Sequence, residues 1–150
     1  MSTEHPPQSD TRYRAHYISG THWDREWYRP FQEFRVLLVR LIDELLDLME
    51  ENEAFRYFQL DGQTCVLEDY LEVRRDRHEE VSRRLASGDL LAGPWYAMPD
   101  EFLVSGESFI RNLALGREVV RRLGGTPSNT AFMCDMFGHN SQMPQIFAGF

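Results

Sequence analysis

Short apolar runs alternate with amphipathic helical stretches along this chain of 150 residues, and no other feature restricts its fold as strongly. The runs at 14–19, 55–60, 90–95 and 130–134 are rich in β-branched, aromatic or other apolar side chains, and each closes on a turn or a polar loop. Between them the apolar spacing changes to three and four. Phe31, Phe34, Leu37, Leu38, Leu41, Leu45 and Leu48 predict an amphipathic helix of about five turns after Pro30. Helical spacing also covers residues 64–73, residues 77–87 ahead of Gly88, and residues 105–123 ahead of Gly124 and Gly125, and a last helix opens near Ser141. A helix between every pair of strands is the pattern of an α/β fold with a parallel β/α repeat sheet, because parallel neighbours need a crossover.

That topology carries a functional expectation, since parallel α/β folds place their sites where the carboxyl ends of the strands meet. The residues so placed are His22, Asp24 and Trp27 after the first strand, Asp61 after the second, Asp100 and Glu101 after the third, and Asp135 after the fourth. Spaced i, i+2 on a loop, His22 and Asp24 can converge on one cation or sugar hydroxyl. One imidazole and two carboxylates suit zinc, and three such ligands leave a position for substrate, where the ion acts as a Lewis acid. Trp23, Trp27, Trp95, Tyr96 and Phe137 fall in the same loops, and aromatic faces suit the C–H faces of sugars. Trp27 is expected in the pocket, whereas Trp23, Trp95 and Tyr96 are expected to be packing anchors.

Composition narrows the partners. A net charge of −8 and a pI near 5.1 argue against nucleic acid, which needs a concentrated basic face. The sequence lacks an apolar stretch of membrane-spanning length, so no membrane association is expected. Residues 1–12, polar and bearing Pro6 and Pro7, read as a disordered tail without a secretory signal, and His5 and His78 read as exposed. Cys65 and Cys134 match neither a disulfide framework nor a paired-cysteine metal site, which points to core thiols in a reducing, cytoplasmic setting. His16, inside the first run, reads as a core imidazole.

Three segments together carry a family resemblance. Thr21-His22-Trp23-Asp24-Arg25-Glu26-Trp27, Gly93-Pro94-Trp95-Tyr96-Ala97-Met98-Pro99-Asp100-Glu101 and Cys134-Asp135-Met136-Phe137-Gly138-His139-Asn140-Ser141 resemble the N-terminal part of the family-38 glycoside hydrolases, the zinc-dependent α-mannosidases. The resemblance spans residues 14–150 and implies the first part of a (β/α)-barrel-like catalytic domain, with residues 13–150 an apparently truncated portion of it. It implies His22, Asp24 and Asp135 as ligands of one zinc ion, with Asp135 also the nucleophile, and Trp27 and Phe137 lining the sugar subsite. The implied reaction is retaining hydrolysis of an α-mannoside or mannose-containing oligosaccharide through a glycosyl-enzyme. The family's fourth zinc ligand, a His, and its acid/base Asp are expected beyond Phe150.

His22 to Trp27, Leu60-Asp61-Gly62-Gln63 and Ser105-Gly106-Glu107-Ser108 look closest to the bacterial mannosylglycerate hydrolase branch, which implies an anionic aglycone. Arg25 and Arg29 could pair with that anion, and Asp61 is a candidate for sugar contact. Asp100 and Glu101 are read as loop-structuring, and His139 as orienting the Asp135 loop. Two other readings stand beside the leading one: a different zinc hydrolase working through a metal-held water, and a non-catalytic carbohydrate-binding chain. Half of a parallel sheet leaves edges and apolar faces exposed, so the isolated chain is expected to self-associate, as in a homo-oligomer, or to misfold.

Overall fold

The apolar runs around Phe58 and Leu90 become strands β1 (Phe58–Leu60) and β2 (Leu90–Ala92), paired in parallel with Phe58 opposite Leu90 and Leu60 opposite Ala92. This computed structural model describes residues 13–150; the expected tail, residues 1–12 with His5, lies outside the described residues. On the other side of β1, Gly20 forms a parallel bridge to Gln59, closed by Gln59 N–H to the Ser19 carbonyl (2.9 Å) and Thr21 N–H to the Gln59 carbonyl (3.2 Å). The chain from β1 to β2 runs through helix α2 (Cys65–Val73), a 3-10 turn (Arg75–Arg77) and helix α3 (His78–Ser87), the crossover that parallel pairing demands.

Helix α1 (Phe31–Glu51) packs on α2, and with α3 and both strands it encloses the main core around Ile42, Leu46, Leu67, Tyr70, Val81 and Leu90. The deep face of α1 is Phe34, Leu38, Ile42, Leu45, Leu46 and Met49. Leu48, expected on that face, is exposed, and Phe31, Leu37 and Leu41 are only half-buried. A helix this rich in leucine has apolar residues on more than one face, so spacing alone leaves its rotation open by a residue.

A second core joins Trp95 to Phe109 and Leu113 of α4 (Gly106–Arg122) and Met143 of α5 (Met143–Ala148). Ser105 caps α4, its hydroxyl accepting the Ser108 N–H at 3.3 Å. Trp95 follows a cis Gly93–Pro94 peptide and has no exposed surface.

Two of the four expected strands are absent, and the other two are shorter than expected, three residues each. Residues 13–18 have no ladder, Tyr17 and Ile18 are 92% and 73% exposed, and His16 is exposed rather than a core imidazole. Residues 130–134 form no strand either. The Phe132 N–H turns back to the Thr130 carbonyl (2.9 Å), and its carbonyl accepts the Trp95 indole N–H (3.1 Å), so the groups a ladder would use are spent locally. Among the described residues the β/α repeat is therefore a mixed helix and strand chain with a small parallel sheet, not a closed barrel. No helix of the described residues is long and apolar enough to cross a membrane.

Cys65 sits in the main core at 1% exposure, and burial, reinforced by the charge of Asp69, pushes its thiol up to about 12. It is expected to resist iodoacetamide at pH 8 in the native protein and to be alkylated once urea unfolds the chain, as peptide mass mapping would show.

Candidate active site

The loop after Gly20 is pinned from three sides. The Trp23 N–H donates to Asp61 Oδ2 (2.8 Å), the Gln63 side-chain amide donates to the Trp23 carbonyl (2.5 Å), and Trp23 stands edge-on to Phe34 with ring centres 5.9 Å apart. Arg25 makes two bonds to Asp69 on α2, 2.7 and 2.8 Å long, and its guanidinium lies 4.5 Å from the Phe31 ring centre. That bidentate pair holds Arg25 firmly in its charged form. With Trp23 packed against the core, the alternation of an extended loop leaves His22 and Asp24 on its outer side.

Asp135, in the loop after residues 130–134, is held in a left-handed backbone conformation, φ 55°. A non-glycine residue held there carries strain that its surroundings must maintain. Glu101, whose side chain has no exposed surface, supplies part of that support: it bonds His139 Nδ1 (2.7 Å) and accepts the Asn140 N–H (2.6 Å). Both carboxylate oxygens are thus used to clamp the loop that follows Asp135. Glu101→Ala leaves these partners unmatched, at a cost of about 2 kcal/mol. The expected readouts in the full-length protein are faster deuterium uptake in peptides spanning 135–140 and a fall of about tenfold or more in kcat/KM.

Three donor atoms converge between the loops. His22 Nε2 lies 3.4 Å from Asp24 Oδ1 and 3.4 Å from Asp135 Oδ2, and the atoms of the set all lie within 4.8 Å of one another. Donors arranged tetrahedrally at about 2.1 Å from a zinc ion stand about 3.4 Å apart, so both spacings to His22 suit a shared ion. Charge points the same way. The surrounding cleft, about 390 Å³, is lined by Asp24, Glu26, Asp100 and Asp135 against His22 and an Arg25 already paired with Asp69. The remaining lining includes Trp23, Ala97, Met98, Met136 and Phe137.

The other candidates fall in different places. Phe137 lines the cleft and is 82% exposed, open to a ligand. Trp27 is 74% exposed at the outer end of the loop, stacked edge-on with Tyr28, and does not line the cleft among the described residues. Arg29 faces Glu33 at 3.6 Å. Asp61, a candidate for sugar contact, has no exposed surface: it lies behind His22, with Oδ2 3.5 Å from Nδ1. Asp100 caps the turn after it by accepting the Phe102 N–H (3.2 Å).

Two residues that motif spacing does not single out complete the arrangement. Gln63 donates to Asp61 Oδ2 (2.8 Å) as well as to Trp23, while its Oε1 accepts the Met98 N–H (3.3 Å). Cys134 Sγ sits 3.3 Å from His22 Nδ1 and 3.7 Å from Asp61 Oδ1, and burial together with the charge of Asp61 pushes its thiol up to about 11. Cys134 opens the third of the resembling segments and Gln63 closes Leu60-Asp61-Gly62-Gln63, so both stand in quoted motifs, but neither has a site role assigned from sequence.

The model of the glycosyl hydrolases family 38 N-terminal domain matches residues 12–150. The chain belongs to glycosyl hydrolase family 38. Within that family it is 43% identical over 89% of its length to a protein of Halalkalibacterium halodurans described as "Putative mannosylglycerate hydrolase", covering 15% of that relative. It is 27% identical over 96% of its length to alpha-mannosidase G of Dictyostelium discoideum, covering 13%. The crystal structure of an alpha-mannosidase from Enterococcus faecalis V583 superposes with a TM-score of 0.83 at 41% identity, over 87% of this chain and 15% of that one. The chain thus spans about one seventh of the length of these family members, at their N-terminal domain.

Proposed function

We propose that this chain supplies half of the active site of a zinc-dependent retaining α-mannosidase. The observation that carries the reading is the convergence of His22, Asp24 and Asp135 at spacings suited to one ion, in a chain of family 38. His22 Nε2, Asp24 Oδ1 and Asp135 Oδ2 would hold the zinc, leaving room for a further His ligand and for substrate from outside residues 1–150. When bound, the ion supplies a Lewis acid for the sugar's hydroxyls and keeps the Asp135 carboxylate ionised.

The strained backbone at Asp135 and the Glu101 clamp fix the direction from which that carboxylate approaches. Asp135 attacks the anomeric carbon as the bond to the aglycone oxygen breaks, and a general acid elsewhere in the full-length enzyme protonates the leaving oxygen. Water, activated by the same group now acting as base, cleaves the glycosyl ester and restores the original anomeric configuration. Phe137 offers a ring to the sugar at the cleft, and Trp27 would join it once further chain closes over the loop.

An anionic mannoside such as mannosylglycerate is the finer substrate reading, supported by the 43% identity to the Halalkalibacterium protein. Arg25 is committed to Asp69, so Arg29 or a cation outside residues 1–150 would have to meet the anion. Taken together, the account predicts about one zinc per full-length protein, hydrolysis of an aryl α-mannoside, and loss of both in His22→Ala. Turnover by metal-free protein, or full metal content in His22→Ala, would sink it.

A further inference from the structure

Asp61 is the best-held carboxylate near the cleft, yet it does not face the cleft. Its Oδ2 accepts the Trp23 N–H (2.8 Å) and the Gln63 amide (2.8 Å), and its Oδ1 accepts the Gly62 N–H (2.6 Å) and faces the Cys134 thiol (3.7 Å). Three N–H donors to one buried carboxylate hold it fixed in orientation. The group it leaves to be satisfied is the rear nitrogen of His22, 3.5 Å from Oδ2, while the front nitrogen faces Asp24 and Asp135 at 3.4 Å.

We propose that Asp61 is a positioning residue for the metal site: it accepts the Nδ1–H of His22, and so selects the tautomer whose Nε2 lone pair points at the ion. This rests on the metal-site reading above and adds a role for a residue outside the donor set. A histidine that binds metal through one nitrogen needs a proton acceptor at the other, and a carboxylate there also raises the basicity of the ligating nitrogen. Cys134 Sγ, 3.3 Å from Nδ1, is the competing partner. Its own proton has an acceptor in Asp61 Oδ1, which leaves a sulfur lone pair toward the imidazole, so both neighbours of Nδ1 act as acceptors and both favour the same tautomer. The Gln63 bridge ties this arrangement to the backbone of the His22 loop, since one amide group reaches both the Trp23 carbonyl and Asp61.

The test uses the full-length protein and measures zinc affinity by competition with a chromophoric chelator, alongside kcat and KM on an aryl α-mannoside. Asp61→Asn is expected to weaken zinc binding by about 10- to 100-fold, with KM little changed and kcat recovering as zinc is raised. Asp61→Glu, which keeps the carboxylate, is expected to retain more affinity than Asp61→Asn. A raised KM with unaltered zinc affinity would overturn the proposal in favour of direct sugar contact. Lowered stability with unaltered zinc affinity would overturn it in favour of a purely structural carboxylate. Should Asp61→Asn fail to fold, a crystal structure of the zinc-loaded wild type decides: the Nδ1 to Oδ2 distance is expected to close to about 3 Å, and a water or Cys134 alone on Nδ1 would overturn the proposal. His22→Ala is the control that separates the two claims. Loss of zinc there with no loss in Asp61→Asn removes only the role of Asp61, whereas unchanged zinc in His22→Ala removes the metal site itself.

Discussion

Asp135→Asn in the full-length enzyme is expected to lower kcat on an aryl α-mannoside by about 10⁴-fold or more, the scale on which removing a catalytic nucleophile acts. The amide matches the carboxylate in size and can occupy the same left-handed backbone position, for which Asn is among the better tolerated residues. What it lacks is the anionic oxygen that attacks the sugar and becomes the ester oxygen of the glycosyl-enzyme. Asp135 Oδ2 is also one of the three proposed metal donors, so some loss of zinc accompanies the substitution. Measuring kcat at saturating zinc isolates the missing nucleophile. A variant within tenfold of wild type under those conditions would show that another group attacks the sugar.

Gly116→Ala is expected to be the most destabilising small substitution in the chain. Gly116 lies on α4, where a Cβ would stand 2.3 Å from the Trp95 carbonyl carbon, 2.4 Å from the Pro94 oxygen and 2.4 Å from the Tyr96 nitrogen. Those neighbours are backbone, so no side chain can swing away. To accommodate one methyl group, α4 must move off the segment 94–96, and with it Phe109 and Leu113, which pack on Trp95. Asn112 on the same helix would be pulled too. Its side chain accepts the Tyr96 N–H (2.8 Å) and donates to the Ala97 carbonyl (2.6 Å), bonds that hold the strand-end loop to α4. Overpacking against rigid backbone of this kind costs about 3 kcal/mol or more. A lowered urea midpoint for the first unfolding transition of the full-length protein, with weakened zinc binding, is the expected result; an unshifted midpoint would mean that α4 sits further from the loop than described.

The parts of the site legible in the sequence are those encoded by neighbours in the chain. His22 and Asp24 are two residues apart, and Asp135 stands in its own short motif, so each could be named before any tertiary information; the structure brings their donor atoms together across 113 residues of chain, from position 22 to position 135. The burial of Asp61 was not legible in the same way. Its position at the end of β1 was, but burial depends on what packs over it, and Trp23, Gln63 and Cys134 close around it only in the fold. Likewise Arg25, read as a candidate partner of an anionic aglycone, meets Asp69 across 44 residues of sequence. Parallel pairing was legible from helix and strand alternation, while residues 130–134 show its limit. An apolar run reads as a strand whether its backbone groups meet a ladder or, as here, a local turn and the indole of Trp95.

The central claim is that Asp135 becomes covalently mannosylated in a cleft where it shares an ion with His22 and Asp24. The most direct measurement is peptide mass mapping of the zinc-loaded full-length enzyme after reaction with an activated fluorinated mannosyl donor that slows hydrolysis of the glycosyl-enzyme. The account predicts one added fluoromannosyl group per protein, on the peptide containing Asp135 and absent from Asp135→Asn; a label on any other residue, or none despite catalytic turnover of the donor, would contradict it.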